Sequence, residues 1–371
     1  MCTYDVILKG GKIIDHKINL YGDYDILIHN GYIHEIGKSI ITEKTTRIID
    51  VSGMYIIPGL IDMHTHVYPD ETSLGINADD IGVNMGISTV VDAGSAGALN
   101  FEKFRDDVIK NSKTNVYSFL NISKYGLKHG GELTDLNNID LNLNKKVIND
   151  NRAYIKGIKV RASKSVVGKL GIKPIMIAKK FAKEMKLPLM VHIGNEPPKI
   201  IDVLNILDKG DIVTHIYHGK PGGMFDCNGK VLKEVEEAYK RGVIFDVGHG
   251  TASFNFNIAK AAIKLGLKPR TISTDIHARN FNSPVKSLLI TMSKFLVLGL
   301  SVEEILECVS RNASKILDVD NHIFKGNIAD IAVLELKNNT IEVEDSDQNK
   351  MNILEHFIIK YAINKNNIKQ F

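Results

Sequence analysis

The chain has 371 residues, of which 44% are hydrophobic and 24% are charged; these values are ordinary for a globular protein and exclude extensive disorder. Its 47 lysines and arginines nearly balance 43 aspartates and glutamates, so the composition predicts no nucleic-acid partner. Cys2, Cys227 and Cys308 form no C-x-x-C pair, which excludes a disulfide scaffold and a thiolate zinc site.

The sequence predicts no targeting signal. The N-terminus lacks a basic segment followed by an apolar run, so no secretory signal peptide is predicted. The most apolar stretch, residues 288–300, is interrupted by Lys294 and is too short to span a bilayer. We therefore expect a soluble cytoplasmic protein without a membrane partner, and the sequence leaves open whether it forms a homo-oligomer.

The first 50 residues alternate apolar and polar positions, a pattern typical of strands. Asn30-Gly31 separates two such runs, residues 25–28 and 32–37, and predicts a β-hairpin. The alternation returns at residues 331–336 and 357–361, which we expect to complete the N-terminal sheet. The stretch from Lys337 to Asn352, rich in Asn, Asp and Lys, is predicted to be an exposed turn region.

The middle of the chain alternates short apolar runs with helix-period segments, about 30 residues per step, the size of a βαβ unit. Eight runs are predicted as strands: Tyr55–Asp62, Ser88–Asp92, Val116–Asn121, Ile155–Val160, Leu189–Ile193, Ile212–Ile216, Val243–Val247 and Thr271–Thr274. Seven segments are predicted as helices: residues 101–109, 174–185, 200–207, 231–240, 258–265, 284–300, and one opening with a capping box at Ser301 and Glu304.

This order of elements predicts an α/β fold, a (β/α)₈ TIM barrel over residues 55–323, with a doubly wound sheet as the alternative. Residues 1–54 and 324–371 are then expected to form one small β-sandwich domain built from both termini.

The sharpest local feature is the segment PGLIDMHTH, which contains His64 and His66. Strand side chains alternate with period two, so both imidazoles point to the same side of the predicted strand. Neutral imidazole is a common ligand of divalent metals, and the carboxyl ends of barrel strands carry the active site. The segment therefore indicates a metal site.

Four more side chains stand at the ends of later predicted strands: Lys159, His192, His215 and Asp275. Each alone is typical of a strand-end group hydrogen-bonded to a loop. In a barrel, however, all of them converge with His64 and His66 on one mouth. Such a buried cluster is costly without a cation, which supports the metal site.

These segments, together with THIYHGK, STDIH and KGIKVRASKSVVG, resemble the amidohydrolase superfamily over nearly the whole chain. The closest pattern is similar to a dihydroorotase-like subgroup of bacterial deacetylases, which hydrolyse N-acetyl-D-amino acids and acetylated hydroxy acids. The resemblance implies a site for two divalent ions, expected to be zinc. Six side chains would hold them: His64, His66, Lys159, His192, His215 and Asp275.

In that assignment carbon dioxide carboxylates Lys159, and the resulting carbamate bridges the two ions. Lys156 is the competing position, but strand alternation points it differently and Lys159 lies nearer the mouth. The resemblance further implies that a metal-bridged hydroxide attacks the substrate and that Asp275 carries the proton to the leaving group. Five side chains are candidates for substrate binding, each also compatible with a purely structural role: Arg161, His218, Lys220, His249 and Arg279.

One position departs from the resemblance. Dihydroorotases carry H-x-H-x-R, whose arginine grips the ring carboxylate, and here Tyr68 stands at that place. The prediction is therefore a hydrolase that deacetylates a small acylated amino or hydroxy acid. Ring opening of a cyclic amide, as in dihydroorotase or hydantoinase, is the alternative. An inactive scaffold is disfavoured because all six ligand positions are present.

Overall fold

The computed structural model describes residues 6–41, 46–365 and 367–371, so Cys2 lies outside the described residues. They contain fifteen strands: β1 (Val6–Asp15), β2 (Leu20–His29), β3 (Tyr32–Gly37), β4 (Arg47–Asp50), β5 (Tyr55–Pro58), β6 (Ile61–Thr65), β7 (Thr89–Ala93), β8 (Asn115–Asn121), β9 (Ile155–Ala162), β10 (Leu189–Ile193), β11 (Ile212–Thr214), β12 (Ile244–Asp246), β13 (Asp330–Glu344), β14 (Lys350–Asn364) and β15 (Asn367–Gln370).

The helices cover the outside of the barrel strands, as the apolar periodicity predicts. In the described residues they are α1 (Ala78–Ile81), α2 (Phe101–Phe104), α3 (Leu141–Asp150), α4 (Lys164–Val167), α5 (Lys173–Met185), α6 (Ile200–Ile206), α7 (Lys233–Arg241), α8 (Phe256–Lys264), α9 (Leu288–Leu298), α10 (Val302–Cys308) and α11 (Arg311–Leu317). A π-helical turn, Arg105–Ile109, continues α2. None of the helices in this part of the chain has the length and apolarity needed to cross a membrane.

Strands β6 to β12 form one parallel sheet in sequence order, and residues 271–276 close it. Thr271 bridges to Asp246 at one edge, and Ile276 bridges to Thr65 at the other. The Asp275 amide also donates to the His64 carbonyl at 2.7 Å. The eighth predicted strand is thus a short bridging run, too irregular to count as a regular strand. The closure confirms the predicted TIM barrel and excludes the doubly wound alternative.

The first predicted barrel strand, Tyr55–Asp62, is wrong as a single element. It divides at Gly59 into β5, which pairs with β1 and β13, and β6, which pairs with β7. A side chain at Gly59 has no room, since a Cβ there would lie 2.2 Å from Asp330 Oδ1. The chain therefore passes from one sheet to the other through a glycine that follows a proline.

The remaining strands form the terminal sheet, in the order β15-β14-β13-β5-β1-β2-β3 with β4 also on β1. It encloses an apolar core of its own, separate from the barrel core, which is consistent with the predicted β-sandwich. The Asn30-Gly31 hairpin is confirmed, because His29 pairs with Tyr32 across it. The division at residues 54 and 324 stays a prediction.

The exposed turn predicted from Lys337 to Asn352 is wrong in extent. Strand β13 continues to Glu344 and β14 begins at Lys350, so the turn is limited to residues 345–349. The polar side chains of this segment are largely exposed while their backbones pair, for example Glu342 with Asn352. Composition alone misled the prediction, because a solvated strand face is as polar as a loop.

Helix α9 joins the two parts of the molecule, packing against β14 of the terminal sheet. The Phe357 amide donates to Ser293 Oγ of this helix at 2.9 Å. The capping box of α10 is confirmed: the Glu304 amide donates to Ser301 Oγ, and the Ser301 amide donates to Glu304 Oε2.

Candidate active site

The barrel brings the predicted metal ligands to one end, as expected from parallel strands whose carboxyl ends share a rim. His64 lies in β6, Lys159 in β9 and His192 in β10, whereas His215 follows β11 and Asp275 lies in the closing run. His215 and Asp275 adopt left-handed backbone conformations, with φ of 71° and 49°. Such strain in residues other than glycine is typical of functional sites.

Three of these side chains form a compact group that can hold a metal ion. His64 Nε2 lies 3.4 Å and His66 Nε2 lies 3.2 Å from Asp275 Oδ1. One ligand atom from each of the three residues falls within 4.8 Å of the others. The convergence of two imidazole nitrogens on one carboxylate oxygen is the geometry that a bound cation requires.

The outer nitrogens of these histidines are engaged by the protein, which orients the inner ones. His64 Nδ1 lies 3.0 Å from Thr214 Oγ1, which itself donates to Asp246 Oδ2 at 2.7 Å. Because the Thr214 proton is committed to Asp246, its oxygen accepts the proton of His64 Nδ1. The lone pair of His64 Nε2 then faces the centre of the group, an arrangement typical of metal-binding histidines.

A hydrogen bond also fixes the tautomer of His215. Its Nδ1 lies 2.6 Å from the Gly248 carbonyl oxygen, which can only accept, so Nδ1 carries the proton. Its Nε2 is buried and has no hydrogen-bond partner among the described residues. The His192 ring lies 4.5 Å from the His215 ring, and its Nε2 lies 3.1 Å from Ser163 Oγ. An orphaned, buried imidazole nitrogen fits a metal ligand.

Lys159, and not Lys156, lies beside the histidine–aspartate cluster. Its Nζ is fully buried, 3.1 Å from His64 Nε2 and 3.3 Å from Met190 Sδ. Burial lowers the pKa of Lys159 to about 7, so a neutral, nucleophilic amine is accessible near physiological pH. Lys156 lies elsewhere, with its Nζ 5.0 Å from the centre of the Tyr117 ring.

The electrostatics of the cluster favour ligand-competent protonation states. Burial lowers the pKa of His64 to about 4, and it holds the pKa values of His192 and His215 well below the ordinary value. Burial works to raise the pKa of Asp275, but His64 and the other neighbouring histidines outweigh it and lower the pKa. Neutral imidazoles around an ionised carboxylate are the forms that bind a divalent cation.

Three of the five predicted substrate-binding side chains are engaged by the protein. Arg161 makes two hydrogen bonds of 2.6 Å to the carboxylate of Glu132. The exposed Arg279 donates to Ser73 Oγ at 2.7 Å. Both ring nitrogens of the buried His249 also have protein partners within 3.0 Å. Their contact with substrate stays a prediction.

The other two, His218 and Lys220, have unused polar atoms. His218 Nε2 is buried without a partner, and the Lys220 ammonium makes no hydrogen bond to any described residue. Burial lowers the pKa of Lys220, and the negative charges of Asp347 and Asp275 partly offset this effect. A cavity of about 660 Å³ is lined by the 218–229 loop. The partly exposed Lys220 ammonium is therefore available to a ligand, whereas His218 Nε2 is enclosed.

Tyr68 is turned into the barrel wall. Its ring is fully buried with its centre 4.8 Å from that of Phe104, and its hydroxyl lies 3.4 Å from the Asn100 carbonyl oxygen. The position that holds an arginine in dihydroorotases thus presents no cation here.

Sequence reasoning missed three buried aspartates that support the ligands. Asp246 accepts hydrogen bonds from three hydroxyls across neighbouring strands, and Asp62 accepts from the Thr274 amide at 3.1 Å. Asp92 accepts from the Val67 and Ser95 amides at 3.0 and 2.7 Å. Each aspartate stands in or at the end of an apolar run, and this position was the only signal in the sequence. It does not reveal which residue of another strand the carboxylate accepts a hydrogen bond from.

Together, a closed parallel barrel and a histidine–aspartate cluster at its carboxyl end define the class of TIM-barrel proteins with a candidate metal site at the mouth. The model of the Amidohydrolase family matches residues 55–367, and the chain belongs to that family. The family match confirms the resemblance that the sequence predicted. Together with the relative named deacetylase, it also confirms the prediction of a hydrolase.

Three known proteins illustrate the relationship. The chain is 38% identical over 346 residues to Deacetylase Atu3266 of Agrobacterium fabrum, which covers 91% of this chain and 85% of the relative. A crystal structure of an adenine deaminase superposes with a TM-score of 0.93 at 34% identity, covering 99% of this chain and 100% of the other. A crystal structure of a dihydroorotase superposes with a TM-score of 0.90 at 34% identity, covering 99% of this chain and 97% of the other. These three proteins are named for different reactions.

Proposed function

We propose that this protein is a metal-dependent deacetylase that cleaves an amide or ester bond of a small acylated amino or hydroxy acid. The observation that carries the proposal is the cluster of His64, His66 and Asp275, placed beside a buried lysine and an orphaned histidine nitrogen. The relative named deacetylase, which aligns over most of both chains, supports the same reaction. The cytoplasmic setting remains part of the proposal.

The chain offers ligands for two divalent ions, which we propose to be zinc. His64, His66 and Asp275 would hold one, while His192 and His215 would hold the second. Two histidines fall one short of the three protein ligands typical of a catalytic zinc site, so the carbamate of Lys159 would supply the missing anionic oxygen. Ions bound there would lower the pKa of a water molecule and polarise the scissile carbonyl.

Asp275 is placed to move the proton in this reaction. Its carboxylate is ionised because the surrounding histidines lower its pKa, and it is partly accessible from the mouth. An ionised carboxylate at the reacting centre can accept the proton of the attacking water and deliver it to the leaving nitrogen or oxygen.

Lys220 and His218 are the proposed contacts for the carboxylate of the substrate. Both have unpaired polar atoms, and an ammonium is a suitable partner for a carboxylate. Ring opening of a cyclic amide is the second candidate, supported by the dihydroorotase structure at 34% identity. The buried Tyr68 counts against it, because no cation occupies the position that would grip the ring carboxylate.

A hydrolysis screen on metal-replete protein tests the proposal. The panel contains N-acetyl-D- and N-acetyl-L-amino acids, acetylated α-hydroxy acids, dihydroorotate and adenine. We expect release of acetate from at least one acylated acid, with dihydroorotate and adenine turned over far more slowly. Turnover of dihydroorotate alone would establish the second candidate instead, and turnover of adenine alone would refute both.

The Asp275→Asn variant tests the proton carrier. We expect kcat to fall by about a thousandfold or more, because the amide cannot accept the proton, with the fold retained in circular dichroism. Asp150→Asn, at an exposed helix end, is the matched control and should match the wild type. Undiminished activity of the Asp275 variant would refute the assigned role.

A further inference from the structure

The segment Gly248-His249-Gly250, which follows β12, touches two residues of the site. The Gly248 carbonyl accepts the proton of His215 Nδ1 at 2.6 Å and so fixes which nitrogen of His215 is free. Gly250 lies against Asp275, since a Cβ at this glycine would stand 2.6 Å from Asp275 Oδ2. A small shift of this segment would therefore disturb both a proposed metal ligand and the proposed proton carrier.

The His249 ring is held by residues outside the ligand cluster and anchors the segment. Its Nδ1 lies 3.0 Å from the Gly250 carbonyl oxygen, and its ring packs on Phe254 with centres 4.7 Å apart. Its Nε2 lies 2.7 Å from Nζ of Lys294, a fully buried lysine of α9. Because a carbonyl can only accept, Nδ1 carries the proton and Nε2 accepts from the lysine.

Lys294 ties this anchor to the terminal sheet. Besides His249 Nε2, its Nζ donates to the Pro284 carbonyl at 2.9 Å and to the Glu344 carbonyl at 2.8 Å. Three acceptors around one amine match the three N–H groups of an ammonium. Glu344 ends β13, so the lysine joins the barrel loop to a strand of the other sheet.

The turn after β13 holds the same loop from the outside. Ser346 Oγ lies 3.0 Å from both the His249 and the Gly250 carbonyl oxygens, and its amide donates to the Phe254 carbonyl at 3.0 Å. Next to it, Asp347 accepts from Asn255 Nδ2 at 2.8 Å. The terminal sheet thus contacts the mouth loop at several consecutive residues.

We propose that Lys294 and Ser346 are positioning residues for catalysis, through which the terminal sheet holds the Gly248–Gly250 segment against His215 and Asp275. The inference rests on the proposed function for the roles of those two side chains. It assigns His249 as an anchor of the loop, in place of a substrate contact. It also gives the terminal sheet a part in the chemistry that is separate from stability.

The test compares Ser346→Ala and Lys294→Met with Ser346→Thr, which keeps the hydroxyl, and with Gln348→Ala. Gln348 is exposed in the same turn and serves as the matched control. In metal-free protein, histidine ¹⁵N NMR reports the tautomer of His215. We expect the Nδ1–H form alone in the wild type and in the control, and a second form in Ser346→Ala and Lys294→Met.

Two further measurements connect the anchor with function. Zn²⁺ affinity, from competition with a chelator, should fall about tenfold in Ser346→Ala and Lys294→Met, as is usual for partners that orient a ligand. With the substrate from the screen, kcat should fall about tenfold while KM changes less than about twofold. In Ser346→Thr, which keeps the hydroxyl, the Zn²⁺ affinity and kcat should stay close to the wild-type values.

The outcomes separate this inference from the proposed function. If both variants fold and match Gln348→Ala in tautomer, Zn²⁺ affinity and kcat, the positioning role is wrong. If Lys294→Met does not fold, Ser346→Ala alone decides. A tautomer change in variants of a protein that neither binds Zn²⁺ nor hydrolyses any acylated acid would uphold the anchor and refute the proposed function.

Discussion

At the residue scale, the state of each buried group follows from its partners. His215 is committed to one tautomer by a carbonyl at 2.6 Å. Lys159 Nζ has only His64 Nε2 and Met190 Sδ as hydrogen-bond partners among the described residues, and burial lowers its pKa to about 7. The His64–His66–Asp275 group is complete without a lysine, but the His192–His215 pair is not. The two proposed ions therefore depend differently on Lys159.

Replacing Lys159 with Met should reduce the bound metal from about two ions per chain to about one. The variant cannot form the proposed carbamate of the second site but keeps the three-ligand group. Metal analysis after dialysis against dilute zinc measures the change. Lys156→Met is the matched control, because that side chain lies over Tyr117, and it should keep both ions. Equal metal content in the two variants would exclude the bridging role.

At the element scale, the passage between the two sheets is built around a buried carboxyl group. Asp330 begins β13 and packs beside Gly59, where β5 ends and β6 is about to start. Its Oδ1 has no hydrogen-bond partner among the described residues. Burial raises the pKa of Asp330 from 3.8 to about 6. The native state therefore binds the proton of this acid more tightly than the unfolded state does.

Asp330→Asn should therefore stabilise the protein at neutral pH. The contribution of the acid is fully present below pH 3.8 and is lost as the pH rises through about 6, a difference of about 3 kcal/mol at most. Urea unfolding should show the advantage of the asparagine growing by about 1 kcal/mol between pH 5 and pH 7. A difference between the two proteins that does not vary with pH would contradict this account.

At the scale of the whole molecule, the proposed ligands belong to five separate parts of the barrel wall. They come from β6, β9, β10, the residue after β11 and the closing run. The closing run contains only isolated bridges, at Thr271 and Ile276, together with loop-type backbone hydrogen bonds to both neighbours. A bound ion would add a link between side chains from all five of these parts.

Metal removal should consequently lower the midpoint of thermal unfolding. An ion that binds only the native state at a hundred times its dissociation constant contributes about 2.7 kcal/mol. Differential scanning fluorimetry in chelator and in graded Zn²⁺ measures this effect. The double variant His64→Ala/His66→Ala is the control, and its midpoint should respond much less to Zn²⁺. A wild-type midpoint that is insensitive to the chelator would argue against a resident metal.

Much of the architecture was predictable because it depends on local periodicity. Alternating apolar runs and helix-period segments indicate a parallel barrel, and the Asn30-Gly31 turn indicates a hairpin. The clustering of the proposed ligands was predictable for a related reason, since side chains at the carboxyl ends of parallel strands must share a rim. The passage at Gly59 was not, because Tyr55–Asp62 reads as one continuous apolar run.

Strand period and barrel order, both of which follow from the amino-acid sequence, fix which side chains gather at the mouth. Whether each of those side chains already has a partner in the protein depends instead on tertiary packing. Arg161 is paired with Glu132, and His249 with Lys294, a residue 45 positions away in sequence. Such pairings depend on how distant loops, helices and sheets pack, and no local pattern of residues encodes them.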